Sequence, residues 1–450
     1  MRKYWRDKLP KEDSVLIIGG GIAGIQASID LANRGINVYL IEMAPYIGGV
    51  VAQLDKTFPT MNCCICILEP KMIECYRHPK ITVYTLSEVT GVEGSKGNFK
   101  VKILERPRFV DISRCTMCGN CIEKCPVIVP NEFQAGFESR KAIYIPFPQA
   151  VPYAPSIDKG SCLHFREGSC RICEDTCPAR AIKYEQSSKI VSLNVSSIIV
   201  ATGFKQYNPE EMREYGYKRY DNVITSIEFE RLVSPYGPTS GELVRPSDKK
   251  VAKRIAFVQC VGSRSHREGV GVPYCSGICC MYAAKEAVTI KEKYPESEPT
   301  IFYIDIKAFS RDFQNLINKA RDEMGVEYIR GRPGEIRENP LTKDLYVWYE
   351  NTDTGEIGRK EVDLAILSTA ILSRSENAKL AEVLGVELDE FGFFKVEEPF
   401  LKPLETTRDG IYVCGCCHGP RDISNSVIEA SAAAMKTATG IQSEAAGSGG

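Results

Sequence analysis

The chain has 450 residues, 43% of them hydrophobic, and its 57 Lys and Arg nearly cancel 58 Asp and Glu, leaving a formal charge of −1. That composition supplies a large core for two or three domains, and the balanced, interspersed charge excludes a nucleic-acid binder. Nineteen cysteines in so long a chain, opening Met1-Arg-Lys-Tyr-Trp5 with no apolar signal-peptide core, predict reduced, metal-loaded thiols in a cytoplasm rather than a disulfide framework. No apolar run approaches the ~20 residues that cross a bilayer, so membrane contact is expected only through a partner.

The first predicted element is a buried strand over 15–18 that runs into Gly19-Gly20-Gly21-Ile22-Ala23-Gly24 and then a helix over 25–33. A second strand over 37–41 ends at Glu42, 18 residues after Gly24, with Met43 beside it. This is the pattern of a dinucleotide-binding βαβ unit. Gly19 permits the tight turn, Gly21 lets backbone approach a pyrophosphate, Gly24 lets helix pack on strand, and Glu42 is placed for a ribose hydroxyl. Gly48-Gly49 shortly afterwards favours FAD over NAD. The next cysteines are Cys63, Cys64, Cys66 and Cys75. Their Cys-x2-Cys pair reads as a redox dithiol, as a donor to a cluster at a partner interface, or as buried thiols.

The run Cys115-Thr-Met-Cys118-Gly-Asn-Cys121-Ile-Glu-Lys-Cys125-Pro126 has the spacing with which bacterial-type ferredoxins hold a cubane [4Fe–4S] cluster. Cys162, Cys170, Cys173 and Cys177-Pro178 repeat its ending with a longer first gap, which loop-closure entropy tolerates. By the ferredoxin crossover rule, one cluster takes Cys115, Cys118, Cys121 and Cys177, and the other takes Cys162, Cys170, Cys173 and Cys125. Pro146, Pro148, Pro152 and Pro155 mark the connector between these halves.

A strand ending Ala201-Thr202-Gly203 is expected to close the FAD domain. Beyond it, strands over 253–259 and 300–305 predict a second Rossmann-like lobe, yet the turn after its first strand reads Cys260-Val-Gly-Ser-Arg264 and lacks the glycine fingerprint. Cys260, Cys275, Cys279 and Cys280 gather instead where a nicotinamide cofactor would bind. They read as ligands of a third [4Fe–4S] cluster, with buried free thiols or a redox disulfide as the alternatives. A last strand over 410–415 leads to a helix over 422–439, whose N-terminal end, with Gly415, Arg421 and Asp422, is expected at the flavin pyrimidine. Cys416 and Cys417 follow Gly415 where an Asp is usual, and with Cys414 they read as packing residues. His78, His164, His266 and His418 show no triad-like or metal-like spacing and read as surface or packing residues.

These signals predict an α/β fold: a two-dinucleotide-domain, thioredoxin-reductase-like flavoprotein with an inserted two-cluster ferredoxin domain. The FAD domain is expected over 1–106, 182–205 and 376–442, the ferredoxin insertion over 107–181, the degenerate NAD(P)-like lobe over 206–375, and a disordered tail over 443–450. FAD and three [4Fe–4S] clusters are the expected cofactors. Without a second glycine fingerprint or a His–Glu acid–base pair, an NAD(P)H-dependent disulfide reductase is disfavoured, and a non-catalytic cluster scaffold is the remaining contrast to an electron-transfer hub.

Gly19-Gly-Gly-Ile-Ala-Gly24, Ala52-Gln-Leu-Asp-Lys-Thr-Phe-Pro59, Cys66-Ile-Leu-Glu-Pro-Lys-Met72, Lys141-Ala-Ile-Tyr-Ile-Pro-Phe-Pro-Gln-Ala150 and Gln259-Cys-Val-Gly-Ser-Arg264 together closely resemble the A subunit of heterodisulfide reductase, from about residue 13 to 440. The resemblance implies FAD, several [4Fe–4S] clusters and the cluster role for Cys260, Cys275, Cys279 and Cys280. It also implies B- and C-like partner subunits, a hydrogenase, formate dehydrogenase or similar donor module, and a homodimer within a larger complex. Electron pairs would be split there between a heterodisulfide branch and ferredoxin, as in methanogenesis. The sequence lacks the extra N-terminal domain and C-terminal ferredoxin segment of full-length methanogen subunits. It is thus expected to be a short form, nearer in layout to the A subunit of quinone-interacting membrane-bound oxidoreductases, where the same chemistry would run without bifurcation. Arg421 stands where the family usually has Lys, which would alter flavin tuning.

Overall fold

Strand β1 (Ser14–Ile18) is buried at every position, as the centre of a parallel sheet covered on both faces must be. In this computed structural model, which describes the backbone of residues 13–447 and side chains through residue 442, β1 leads through the glycine turn into α1 (Ile22–Asn33). The opening segment read for a signal peptide, and residues 448–450, lie outside the described residues. Helix α1 starts three residues earlier than predicted because Gly21, in extended conformation, caps it directly after the turn. Strand β2 (Asn37–Ile41) then pairs in parallel with β1, Leu40 opposite Ile17. Helix α2 (Cys64–Arg77) connects onward to β3 (Ile81–Tyr84) on the far side of β2.

An antiparallel sheet of Ser87–Ser95, Asn98–Glu105 and Lys189–Val195 covers one face, burying Phe99, Val101 and Ile103 against Leu16 and Ile18. Glu105 lies opposite Lys189, so the segment 107–181 leaves and returns at neighbouring points of one sheet. Within that segment, short helices Asn120–Glu123 and Ile172–Asp175 and two small strand pairs enclose a separate core of Phe109, Val110, Ile143, Ile157 and Ile182. Strand β4 (Ser197–Val200) then returns to pair in parallel with β1.

The second lobe contains α3 (Ser226–Val233), β5 (Arg254–Val261), α4 (Cys279–Lys293) and β6 (Leu364–Thr369). Its five-stranded parallel sheet runs Val223–Thr225, β6, β5, Glu298–Tyr303, Glu327–Arg330. The sequence reading ended β5 at residue 259, but the strand continues through Cys260, with its register against β6 shifting between Val258 and Val261. The chain then returns to the first lobe with β7 (Ile411–Val413), parallel to β4, and α5 (Ile423–Gly447). Helix α5 therefore extends beyond the predicted 439 into the segment expected to be a disordered tail. Small residues let α5 approach α1 closely: Ala23 and Ala27 share a core with Ala430, Ala433, Ala434 and Ala438.

Candidate functional site

A cleft of about 550 Å³ opens between the two lobes. Its first wall is the β1–α1 turn. Gly19 is held at φ +114°, and a Cβ there would stand 2.3 Å from the Ala201 carbonyl oxygen. A Cβ on Gly24 would stand 1.8 Å from the Gly19 oxygen, so only glycine lets α1 seat against the turn. Gly21 differs: no heavy atom lies within 4 Å of its Cβ position, and it faces the cleft together with Ile22 and Ala23. Open backbone at the start of a helix, with no side-chain cap, suits a pyrophosphate.

Glu42 faces the same space. Its carboxylate accepts the Gly20 and Ala44 amides, each at 2.7 Å, and each oxygen keeps a lone pair for a ribose hydroxyl. Burial pushes this carboxyl up, against the two amides and Arg374. Met43, Gly49, Ala201, Thr202, Gly203, Arg421 and Asp422 also line the cleft. Gly20, Gly24, Gly48 and Gly415, expected as binding residues, do not line it but shape it. The Gly48 amide, for example, bonds the Gly20 oxygen at 2.7 Å.

At the other end of the cleft, Glu429 on α5 gathers three donors: the Gly415 amide at 2.9 Å, His418 Nε2 at 2.9 Å and Arg421 Nε at 2.6 Å. Burial alone would raise its carboxyl, but the His418 and Arg421 contacts outweigh it and bring it down to about 2. Arg421 is thus fixed at the cleft rim by a carboxylate the sequence reading missed. Asp422 accepts the Asn425 amide at 2.8 Å and so caps α5. Cys414 and Cys416 face the cleft, and Cys417 is buried behind them with its thiol on the Val200 oxygen at 3.1 Å.

The second lobe supplies the opposite wall through Ser226 and Glu230 of α3 and Tyr282, Lys285 and Glu286 of α4. Lys285 and Glu230 form a fully buried ion pair, and Glu230 also accepts the Asp55 amide at 2.8 Å. Burial would lower the Lys285 ammonium, but Glu230 and Glu286 outweigh it and raise it. Burial, then Glu230, hold Glu286 well above the usual carboxylate range. A cation and a carboxyl held well above its usual range on one cleft wall can hold or move a proton beside a bound ligand. Sequence reasoning passed over this group, although Lys285-Glu286 interrupts the apolar run from Ala283 to Val288 of the helix.

The inserted segment separates its thiols into two sets. Cys115, Cys118, Cys121 and Cys177 line one small cavity with Val110 and Ile182. Burial, Cys173, Cys115 and Cys177 push the Cys121 thiol up to about 12. The Cys173 thiol is pushed up to about 11 by burial first, with contributions from Cys162, Cys125 and Cys170. Cys121 thus lies near Cys115 and Cys177 and also near Cys173, so the two groups adjoin. In the second lobe Cys260, Cys275, Cys279 and Cys280 form a third such group. Burial raises the Cys280 thiol to about 11, with Cys260 and Cys275 adding to it. Clustered buried thiols that disfavour one another's ionisation suit the iron of a cluster, which would offset that cost. Among the described residues no three or more His, Cys, Asp or Glu side chains are arranged to hold a single metal ion. Cubane ligands attach to separate irons and lie farther apart than ligands sharing one ion. Ile278, Tyr282 and Thr369 line the cleft, and Thr369 carbonyl oxygen accepts the Cys279 thiol at 3.8 Å, so the third set is one layer of side chains from the cleft.

Of the early cysteines, Cys63 and Cys66 are joined as a disulfide, a correction to the expectation of reduced thiols throughout, while Cys64 and Cys75 are buried and free. Two residues between the partners and the start of α2 bring the sulfurs together. His418 is a buried partner of Glu429, and His164 stacks on Tyr184 with ring centroids 3.8 Å apart.

Residues 14–61 match a family described as FAD dependent oxidoreductase. One of two Methanopyrus kandleri proteins named as the iron-sulfur A subunit of CoB–CoM heterodisulfide reductase is 49% identical over 435 residues, 96% of this chain and 65% of its own length. The Methanothermobacter thermautotrophicus protein named as the A subunit of an H2:CoB-CoM heterodisulfide,ferredoxin reductase is 44% identical over 432 residues, 96% of this chain and 64% of its own length. The chain thus spans just under two thirds of these relatives. Among solved structures, Lactococcus lactis thioredoxin reductase covers 96% of this chain and 100% of its own, with a TM-score of 0.51 at 15% identity, a likeness of fold.

Proposed function

The chain belongs to the family of heterodisulfide reductase A subunits, which are FAD-dependent oxidoreductases, and from that premise we propose that it is the iron–sulfur flavoprotein hub of a heterodisulfide-reductase-like complex. The observation that carries this reading is the contact between the dinucleotide cleft and the third thiol set through Ile278, Tyr282 and Thr369. Gly19, Gly21 and Glu42 would hold FAD, and the three cysteine sets would each hold a [4Fe–4S] cluster. When bound, the flavin supplies interconversion of paired and single electrons, and the clusters carry single electrons.

This chain's side chains position and balance that chemistry. Arg421, fixed by Glu429, places positive charge at one end of the cleft. Lys285 and Glu286, whose carboxyl is held above its usual range, offer a cation and a proton site at the other wall. The partners in this reading are B- and C-like subunits, a hydrogenase or formate dehydrogenase module, and ferredoxin, with the chain as a homodimer in the assembly. Dividing electron pairs between a heterodisulfide and ferredoxin is the finer form of the proposal; the pairing of both words in a relative's name supports it. Among the described residues no helix is long and apolar enough to cross a membrane, so membrane contact would go through a partner.

Iron, sulfide and flavin are measured on one anaerobic sample. About twelve irons and one FAD per chain are expected for three cubanes and a flavin, whereas about eight irons would remove one cluster from the reading. Absence of flavin would leave only a cluster scaffold.

A further inference from the structure

The two thiol sets of the inserted segment adjoin but differ in what surrounds them. In the first, Cys118 is exposed and Cys115 and Cys177 are half-buried, whereas in the second Cys125, Cys162 and Cys173 are all buried. The first set lines an apolar cavity with Val110, Ile122, Ile145 and Ile182. The Ala181 amide reaches Cys177 Sγ at 3.3 Å, but among the described residues no side chain donates a hydrogen bond to a sulfur of this set.

The second set has such a donor. The Tyr184 hydroxyl lies 2.8 Å from Cys173 Sγ, with both side chains buried. A cysteine that holds iron has lost its proton, and a phenol keeps its own at neutral pH. Between these two atoms, therefore, only Tyr184 can donate. The ring is clamped in place. His164 stacks on it with centroids 3.8 Å apart, Phe165 meets it edge-on at 5.6 Å, and the Arg171 guanidinium lies 5.5 Å from its centroid.

Reduction adds one negative charge to a cluster. Burial opposes that charge, and a hydrogen bond to a ligand sulfur favours it. Burial alone would thus make the second set harder to reduce than the more exposed first set.

We propose that Tyr184 is a positioning residue for electron transfer: its hydroxyl donates to Cys173 and raises the potential of the cluster held by Cys125, Cys162, Cys170 and Cys173, offsetting the effect of burial. The proposal rests on the reading of that set as cluster ligands. Each transfer between the adjoining sets moves one electron, oxidising one cluster and reducing the other, and the proton stays on the Tyr184 oxygen. Without the donor, electrons would pool on the first set.

The test is a dithionite titration of the full chain, prepared without oxygen and with iron counted, followed by electron paramagnetic resonance. Tyr184→Phe keeps the ring in its clamp and should retain about twelve irons. One cluster should lose about threefold or more in its reduction equilibrium relative to the other two, about 28 mV at 59 mV per tenfold for a one-electron couple. In deuterium oxide, that same cluster of the parent should show an exchangeable-deuteron coupling that the variant lacks. Incorporating 3-fluorotyrosine at position 184, a more acidic donor, should return the equilibrium to the parent level or beyond.

Full iron with every potential unchanged overturns the proposal and leaves the thiol set standing. So does a Tyr184→Phe chain that loses about four irons, because the hydroxyl would then hold the site together rather than tune it. A parent chain whose iron count is unchanged by Cys173→Ala overturns the reading of the set, and the proposal with it.

Discussion

The two lobes place a strand, a turn and a helix around the same kind of opening and use it in opposite ways. In the first, Gly19 and Gly24 tighten the turn between β1 and α1 until nothing covers Gly21. In the second, the connection between β5 and α4 folds back and fills its own opening. A Cβ on Gly262 would stand 2.2 Å from the Tyr207 ring, and one on Gly271 would stand 2.5 Å from the Gly262 oxygen. Cys260 takes a left-handed φ of +60°, costly for a side chain of its size, at the point where the strand register shifts. A switch point of an α/β sheet thus serves a dinucleotide when left open and thiols when filled.

The largest test of this contrast is Gly24→Val. Its side chain would collide with the Gly19 oxygen, and the purified chain should lose essentially all flavin absorbance while keeping the iron of the second lobe. Cys279→Ser is the reverse: loss of about four irons per chain, with flavin retained. Loss of both cofactors in either variant would break the separation of the lobes.

Smaller effects sharpen it. Glu230→Gln strands a buried ammonium and should cost roughly 3 kcal/mol in urea unfolding. Glu286→Gln, which removes an acid whose ionised form burial disfavours, should cost less than about 1 kcal/mol. Glu429→Gln should cost on the order of 2 kcal/mol at neutral pH. Because the folded value of Glu429 lies below the ordinary 4.5, that stability is present above pH 4.5 and disappears as pH falls toward about 2. The gap between variant and parent should therefore narrow between pH 5 and pH 3.

What could be read from the sequence was what a few adjacent residues dictate. The glycine turn, Glu42 and the cysteine spacings carry their meaning within short windows, and the crossed grouping of Cys121 with Cys177 followed from a general ferredoxin rule. The Glu230–Lys285 pair joins residues 55 positions apart on different helices, and Glu429 reaches back to Gly415, so no local pattern announced them. The Cys63–Cys66 spacing was visible, but its state depends on the start of α2. Helix α1 was placed late because its first turn is composed of residues already assigned to the glycine motif.

The pairing of Glu105 with Lys189 has a consequence for how the protein is made. Strand β1 leaves a ribosome early, but its neighbour β4 follows only after the whole inserted segment, and β7 only after the second lobe as well. The cysteines of the insertion are therefore available to cluster-assembly machinery while the flavin lobe is still missing strands. Iron would be loaded first and flavin captured last, so nascent chains halted before residue 411 should carry iron and no flavin.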